Sequence, residues 1–272
     1  MRNRKLIISP QAGFGNRLRA LCSAKVLGDL IGREVFHYWV NDEPNSDLPL
    51  INEVKKIDAE YFFDLRIPRW NGDVDICFSE WMPGDYWHQY QSTAQKQLKI
   101  GRTQRLTSIN DILQCEDDVI LIETSHALQL EGSTQSEWNL RMSQCYNRNF
   151  VLNEEWELIF QSLPNFDFGV SIRRGEFLSY FPESNTDIVE AARRINELKG
   201  SKIIFSDDEE FRRQLCEAIK NHFQINREGL QAIDHVMLQF LTLSKCKYVL
   251  GTKDSSFPFQ ASLFRNSNYQ SI

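Results

Sequence analysis

Directly after the apolar run 169–172 come Arg173, Arg174, Gly175 and Glu176. Adjacent side chains on an extended segment point to opposite faces, so one guanidinium can enter a crevice while the other pairs with a nearby carboxylate. The planar fork of a guanidinium suits a diphosphate, and a charge-assisted hydrogen bond contributes about 1.5 to 3 kcal/mol. A solvated surface pair is the commoner fate of such a dipeptide, and the position at a strand end is what argues for a site. A second strand-end segment, Ser206-Asp207-Asp208, follows the apolar run 202–205. Asp208 also reads as a plain helix cap, Asp207 could bind ribose hydroxyls or a base edge, and paired acids could hold a divalent metal. In the third, Thr252 to Phe257, the hydroxyls and N–H groups of Ser255 and Ser256 at a helix start form an anion nest, though Ser-Ser is often only a cap. The fourth is Gly13-Phe14-Gly15-Asn16-Arg17, between a strand and a helix, where N–H groups and the helix dipole attract phosphate or a sugar hydroxyl. Its glycines would equally serve a tight turn.

The elements that must carry these loops follow an α/β rhythm, apolar strands alternating with helical patterns as in a parallel sheet. The spacing predicts a strand over 5–9, a turn over 10–15, a helix over 16–31 with Leu18, Leu21, Ala24, Val26 and Leu27 inward, and a strand over 35–40. Further strands are expected over 74–78 and 119–123. A second domain begins near Leu152, with Asn153 capping a helix that buries Trp156, Ile159 and Phe160 and ends before Pro164. Then follow a strand over 168–172, a helix over 187–198, a strand over 202–205, a helix over 208–221, a helix over 230–244, a strand over 248–250 and a last helix entered through Ser255-Ser256-Phe257-Pro258. Ligands of parallel sheets bind beyond the carboxyl ends of the strands, so Arg173, Asp207 and Ser255 are expected to converge.

Composition narrows the function. The 272 residues are 42% hydrophobic and 25% charged, which predicts a soluble folded chain of one to two domains. With 31 Lys and Arg against 37 Asp and Glu, the net charge of −6 argues against general binding to nucleic acid or anionic membranes. No apolar run approaches the roughly 18 residues of a membrane span, and the start does not read as a signal peptide. Most of the six scattered cysteines, which form no C-x-x-C pair, are expected to be buried reduced thiols of a cytoplasmic protein, and five histidines show no metal-binding spacing. Leu18 takes the place of the third glycine in G-x-G-x-x-G, and no Lys-Ser or Lys-Thr follows, so dinucleotide and Walker readings fail on spacing.

Together the four segments resemble the GDP-fucose-dependent fucosyltransferase superfamily, which includes the α1,2- and α1,6-fucosyltransferases and the protein O-fucosyltransferases. Gly13-Phe14-Gly15-Asn16-Arg17-Leu18 is similar to its G-x-G-N-(R/Q)-(L/M) loop, and residues 169–176, Gly-Val-Ser-Ile-Arg-Arg-Gly-Glu, to its G-V-H-x-R-R-G-D segment. Residues 204–208, Ile-Phe-Ser-Asp-Asp, are similar to an apolar-A-(S/T)-D-D segment. Residues 243–257, with Ala261 beyond, are similar to a run containing L-S-x-C and G-(S/T)-x-x-S-S-F. Most of 41–150 is unmatched.

The resemblance implies a GT-B arrangement, two Rossmann-like domains facing across a cleft: residues 1–150 on the acceptor side and 151–272 binding the nucleotide sugar. It implies inverting transfer of L-fucose from GDP-fucose to a glycan hydroxyl, with no cofactor and no metal. On that resemblance Arg173 contacts the diphosphate and offsets the charge of the leaving group, and Arg174 supports the loop or pairs with acids. Ser255, Ser256 and Phe257 meet the phosphates, Asp207 and Asp208 hold the nucleotide and the loop, and Gly13, Gly15, Asn16 and Arg17 face the sugar and phosphate. Ser171 stands where the family has a histidine, giving a shorter neutral contact. Gln239 stands where members often place an acid that reads guanine, and its amide oxygen can still accept. The base that deprotonates the acceptor is open among Glu176, Glu183 and Asp42, and Trp70, Trp81, Tyr86 and Trp87 could stack on sugar rings or simply fill the core. A nucleotide-sugar or glycan-binding module of the same fold, without turnover, is the alternative. An NAD-dependent oxidoreductase is disfavoured by the absent glycine.

Overall fold

Strand β1 (Lys5–Pro10) is buried from Leu6 onward and β6 (Val119–Thr124) along its whole length. Strands covered on both faces need apolar residues at successive positions, which is why these segments run apolar instead of alternating. The computed structural model describes residues 4–39, 59–71, 78–81, 104–106, 108–175, 178, 182–220, 222–223 and 232–272. The chain divides into two compact units, Met1–Asn153 and Glu154–Ile272.

In the first unit β1 and β6 are joined by β2 (Glu34–His37), β4 (Phe78–Trp81) and β5 (Gln104–Leu106) in a parallel sheet of order β2-β1-β6-β4-β5. Between them in sequence, β3 (Phe63–Leu65) pairs antiparallel with β7 (Phe150–Leu152) in a separate ribbon. Helix α1 (Phe14–Ile31) packs on β1 and is buried almost all round, because α3 (Gln135–Asn149) covers its other side. Cys22 donates to the Met142 carbonyl there, at 3.3 Å. A short helix α2 (Ile109–Gln114) precedes β6. The helix expected to start at Asn16 starts at Phe14: Ala12 turns the chain at φ 65° and Gly13 already serves as N-cap. At the other end Gly32 takes the left-handed conformation at φ 67° and closes α1 with a bond to the Gly28 carbonyl. The strand expected over 35–40 is confined to Glu34–His37; of the one expected over 74–78, residues 74–77 lie outside the described residues and β4 begins at Phe78.

The second unit opens with α4 (Glu154–Ser162), in which Trp156 is buried while Ile159 and Phe160 are only half-buried. Its parallel sheet has the order β10-β9-β8-β11-β12, formed by β8 (Phe168–Ile172), β9 (Lys202–Ser206), β10 (His222–Phe223), β11 (Tyr248–Gly251) and β12 (Asn268–Ser271). Helices α5 (Ile188–Glu197), α6 (Glu209–Ala218), α7 (Ala232–Ser244) and α8 (Ser256–Phe264) connect the strands. Val170 and Ile172 of β8, Ile204 of β9 and Leu250 of β11 pack with Ala191 and Ile195 of α5 and Phe211 and Leu215 of α6 in one core. Helix α6 ends at Ala218, three residues before the expected end, because the chain turns there into the short strand β10.

Candidate functional site

The chain order of the second sheet reverses between β8 and β11: β9 and β10 extend to one side of β8, β11 and β12 to the other. At such a switch point the two flanking loops leave in opposite directions, which opens a crevice beyond the strand ends. Arg173 follows β8, Asp207 follows β9, and Thr252 to Ser255 follow β11 and lead into α8. The three loops read from sequence as functional therefore meet at one edge.

Hydrogen bonds tie them together. Arg173 donates Nε to Asp207 Oδ2 at 2.8 Å, and the Arg174 main-chain N–H donates to Asp207 Oδ1 at 2.7 Å. Both oxygens of Asp207 thus hold the arginine loop. A Cβ on Gly175 would stand 3.2 Å from Asp207 Oδ2, a tight contact that the glycine avoids. Arg174 turns the other way, as alternation along an extended chain requires. It donates Nη1 to the Thr186 carbonyl at 2.7 Å, lies 4.3 Å from the centre of the Phe211 ring and 3.7 Å from Asp208 Oδ2. Asp208 in turn caps α6 by accepting the Phe211 N–H at 2.9 Å. The Arg173 side chain keeps 34% of its surface exposed. An arginine anchored through Nε by a carboxylate and open to solvent has lost much of its rotamer freedom before any anion arrives, which lowers the cost of binding one.

On the other side of β8 the Arg173 N–H donates to Thr252 Oγ1 at 2.8 Å, and the Thr252 carbonyl accepts the Ser255 N–H at 3.1 Å. Ser255 is the N-cap of α8, yet its hydroxyl caps no N–H of the helix. The positive end of the α8 dipole, with no side-chain cap and with Pro258 in its first turn, lies beside the arginine loop. Ser256 and Phe257 lie in that turn, and the Phe257 ring meets Phe240 edge-on at 5.8 Å. Gln239, next to Phe240 on α7, is half-buried; Ser171 lies within β8, 4% exposed.

The glycine segment of the first unit sits at the comparable place of its own sheet, between β1 and β6. Gly13 has φ −70° and ψ 168°, a conformation open to any residue, and a Cβ on it would meet nothing within 4 Å. Neither backbone nor packing among the described residues explains this glycine, so the tight-turn reading does not account for it. Gly15 lies inside the first turn of α1. Asn16 accepts from Arg19 Nη2 at 2.9 Å, and Arg19 also donates to the Ser125 carbonyl at 2.7 Å, joining α1 to the loop after β6. Arg17 is fully buried: its Nε donates to the Ala12 carbonyl at 2.8 Å and its guanidinium lies 5.1 Å from the Trp39 ring centre. Its visible work is to hold the turn that starts α1.

Of the remaining expected residues, Glu176, Asp42, Tyr86 and Trp87 lie outside the described residues, and only the backbone of Trp81 is described. Glu183 is exposed in a single 3-10 turn, Pro182–Ser184. Trp70 is 6% exposed and packs edge-on against Phe36 at 5.2 Å, a core position. Among the described residues no group of three or more His, Cys, Asp or Glu is placed to hold a metal ion, and no helix is long and apolar enough to cross a membrane. Among the described residues, the site contributors missed from sequence are Thr186 and Phe211, which hold Arg174. Phe211 carried a signal, as the buried position one turn after the Asp208 cap, whereas Thr186 acts through its carbonyl and carried none.

No protein-family profile matches the chain, and no curated protein matches its sequence. Solved structures do match. POFUT1 in complex with GDP-fucose aligns with a TM-score of 0.61 at 10% identity, over 100% of this chain and 98% of that one. NodZ α-1,6-fucosyltransferase soaked with GDP-fucose aligns with a TM-score of 0.59 at 16% identity, over 96% of this chain and 92% of that one. A further structure of fucosyltransferase NodZ, from Bradyrhizobium, aligns with a TM-score of 0.57 at 16% identity, over 96% and 93%. The chain has the α/β fold of these GT-B fucosyltransferase structures.

Proposed function

We propose that a chain with this fold and this strand-end loop moves L-fucose from GDP-fucose to a hydroxyl of a glycan acceptor, with inversion at the anomeric carbon. The observation that carries the reading is Arg173 at the switch point of the second sheet, anchored by Asp207 and linked through Thr252 to the uncapped start of α8. As the bond between fucose and the β-phosphate breaks, negative charge grows on GDP. A guanidinium and helix N–H groups already in place stabilise that charge without reorganising. One of the similar solved structures is a complex with GDP-fucose and another was soaked with GDP-fucose, which supports the same donor here.

In this reading Arg173 meets the diphosphate, Ser255, Ser256 and Phe257 add hydroxyl and N–H donors, and Asp207, Asp208 and Arg174 keep the loop in shape. Ser171 and Gln239 border the nucleotide, with Gln239 accepting from guanine. On the family resemblance, Gly13, Gly15 and Asn16 are assigned to the sugar side of the donor, with Arg17 holding their turn, and the candidates for the acceptor base are Glu176, Glu183 and Asp42. In this reading no metal or cofactor is required, because the Arg173 guanidinium takes the place of a metal and the Asp207 carboxylate is already bonded to it and to the Arg174 N–H. The test is release of GDP from GDP-fucose, GDP-mannose and UDP-sugars over a panel of glycan acceptors, with and without EDTA. GDP-fucose is expected to be turned over fastest and EDTA to leave the rate unchanged. A UDP-sugar preference, or full dependence on Mn²⁺ or Mg²⁺, would overturn the assignment.

A further inference from the structure

Resting on the reading of Arg173 as the diphosphate-binding group, we propose that Thr252 is its positioning residue, the side-chain hydroxyl fixing the Arg173 main chain at the switch point. Thr252 has no exposed surface, so it acts through its neighbour and not by touching a ligand.

The ladder between β8 and β11 shows why a hydroxyl is needed. The strands run parallel with Ser171 opposite Gly251, and the Thr252 N–H donates to the Ser171 carbonyl at 3.2 Å. One step further along a parallel ladder, the Arg173 N–H would donate to the Thr252 carbonyl. It donates instead to Thr252 Oγ1. The carbonyl is thereby left to accept the Ser255 N–H, closing the turn that brings Ser255 to the start of α8. A hydroxyl has taken the place of a carbonyl in the ladder. The two strands can part at their carboxyl ends and open the crevice, while Arg173 stays tied to the residue that also sets the helix start. The substitution needs an acceptor oxygen on Cβ, which Ser and Thr carry, Val lacks, and Asn or Asp hold one bond too far.

From the opposite neighbour, β9, Asp207 holds the same loop through Arg173 Nε and the Arg174 N–H. Arg173 is therefore fastened by its main chain to one adjoining strand end and by its side chain to the other. Groups that bind a transferring phosphate act only when held within a fraction of an ångström, so loss of either fastener should weaken the grip on a diphosphate.

The experiment measures GDP affinity by titration calorimetry for the parent chain, T252V, T252S and R173A. T252V keeps the volume and loses the oxygen, and its GDP affinity is expected to fall about tenfold, the worth of one hydrogen bond in this setting. T252S keeps the oxygen and loses a methyl, and should fall by less than about threefold, a rescue by the hydroxyl that packing alone does not provide. Parity of T252V with the parent beside a weakened R173A overturns this proposal and leaves the donor reading standing. The reverse order, T252V binding better than T252S, shows that the side chain matters as packing volume and also overturns it. R173A binding like the parent, or a parent that binds no GDP, overturns the donor reading and this proposal together. Should T252V show no cooperative melting, T252S against T252A, which differ by the one oxygen, make the same comparison; equal affinities overturn the proposal.

Discussion

In the proposed reading the surface ion pair of Arg173 and Asp207 serves chemistry more than stability. The guanidinium is one-third exposed, and pairs of this kind contribute about 1 kcal/mol or less to folding. Arg173→Ala is therefore expected to melt close to the parent while turnover of GDP-fucose falls by two to three orders of magnitude, the usual cost of removing a donor to developing charge. Unchanged kcat/KM in that variant would remove the site. Asp207→Asn is a milder change with a definite direction. The carboxylate accepts from two donors, and an amide must turn its own NH₂ toward one of them, so one bond is lost. We expect kcat/KM to fall about tenfold, in steady-state assays at saturating acceptor, with the melting temperature little moved.

At the scale of elements, β11 and α8 depend on a close approach. A Cβ on Gly251 would stand 2.5 Å from Pro258 Cγ and 2.9 Å from Pro258 Cβ. Either β11 or the first turn of α8 would have to move. Gly251→Ala is expected to destabilise by about 1 to 3 kcal/mol, read as a lower urea midpoint, and to weaken GDP binding because the displaced turn carries Ser256 and Phe257. A stable variant with parental GDP affinity would show that the α8 start lies apart from the nucleotide. Helix α3 teaches a different lesson. Its polar sequence hides Trp138, Met142 and Tyr146 as an inward stripe, and the signal that could have exposed it is the capping box in which Thr134 and Glu137 satisfy each other.

Over the whole molecule, each unit carries a group whose pKa is lowered by the fold, and the two groups respond to acid in different ranges. Burial, and then the Arg19 charge, push the His126 imidazole below its ordinary value of 6.5 in the first unit. A group with a lowered folded pKa contributes stability above its unfolded pKa, and that contribution declines as the pH falls below it. In the second unit, hydrogen bonds from the Ser201 backbone and hydroxyl hold the Asp167 carboxyl below its ordinary 3.8, so its contribution survives to lower pH. Urea midpoints at pH 7.5 and 5.5 are expected to differ less for His126→Gln than for the parent chain. An equal drop in both would show that other groups govern this range.

Sequence alone determined the α/β class and the order of strands carrying loops, because parallel strands and their crossover helices leave a local apolar pattern that survives without tertiary context. Segments such as 168–172 and 202–205 could be read almost to the residue, since strands buried on both faces tolerate little else. The tertiary structure decided what those loops do to one another. That Asp207 grips the arginine loop with both oxygens, that Arg17 points inward, and that Thr252 exchanges a hydroxyl for a carbonyl all depend on which strands become neighbours. Strand adjacency is settled by packing between segments far apart in the chain, some eighty positions from Arg173 to Thr252 and more than a hundred from β1 to β6, and short-range pattern does not specify it.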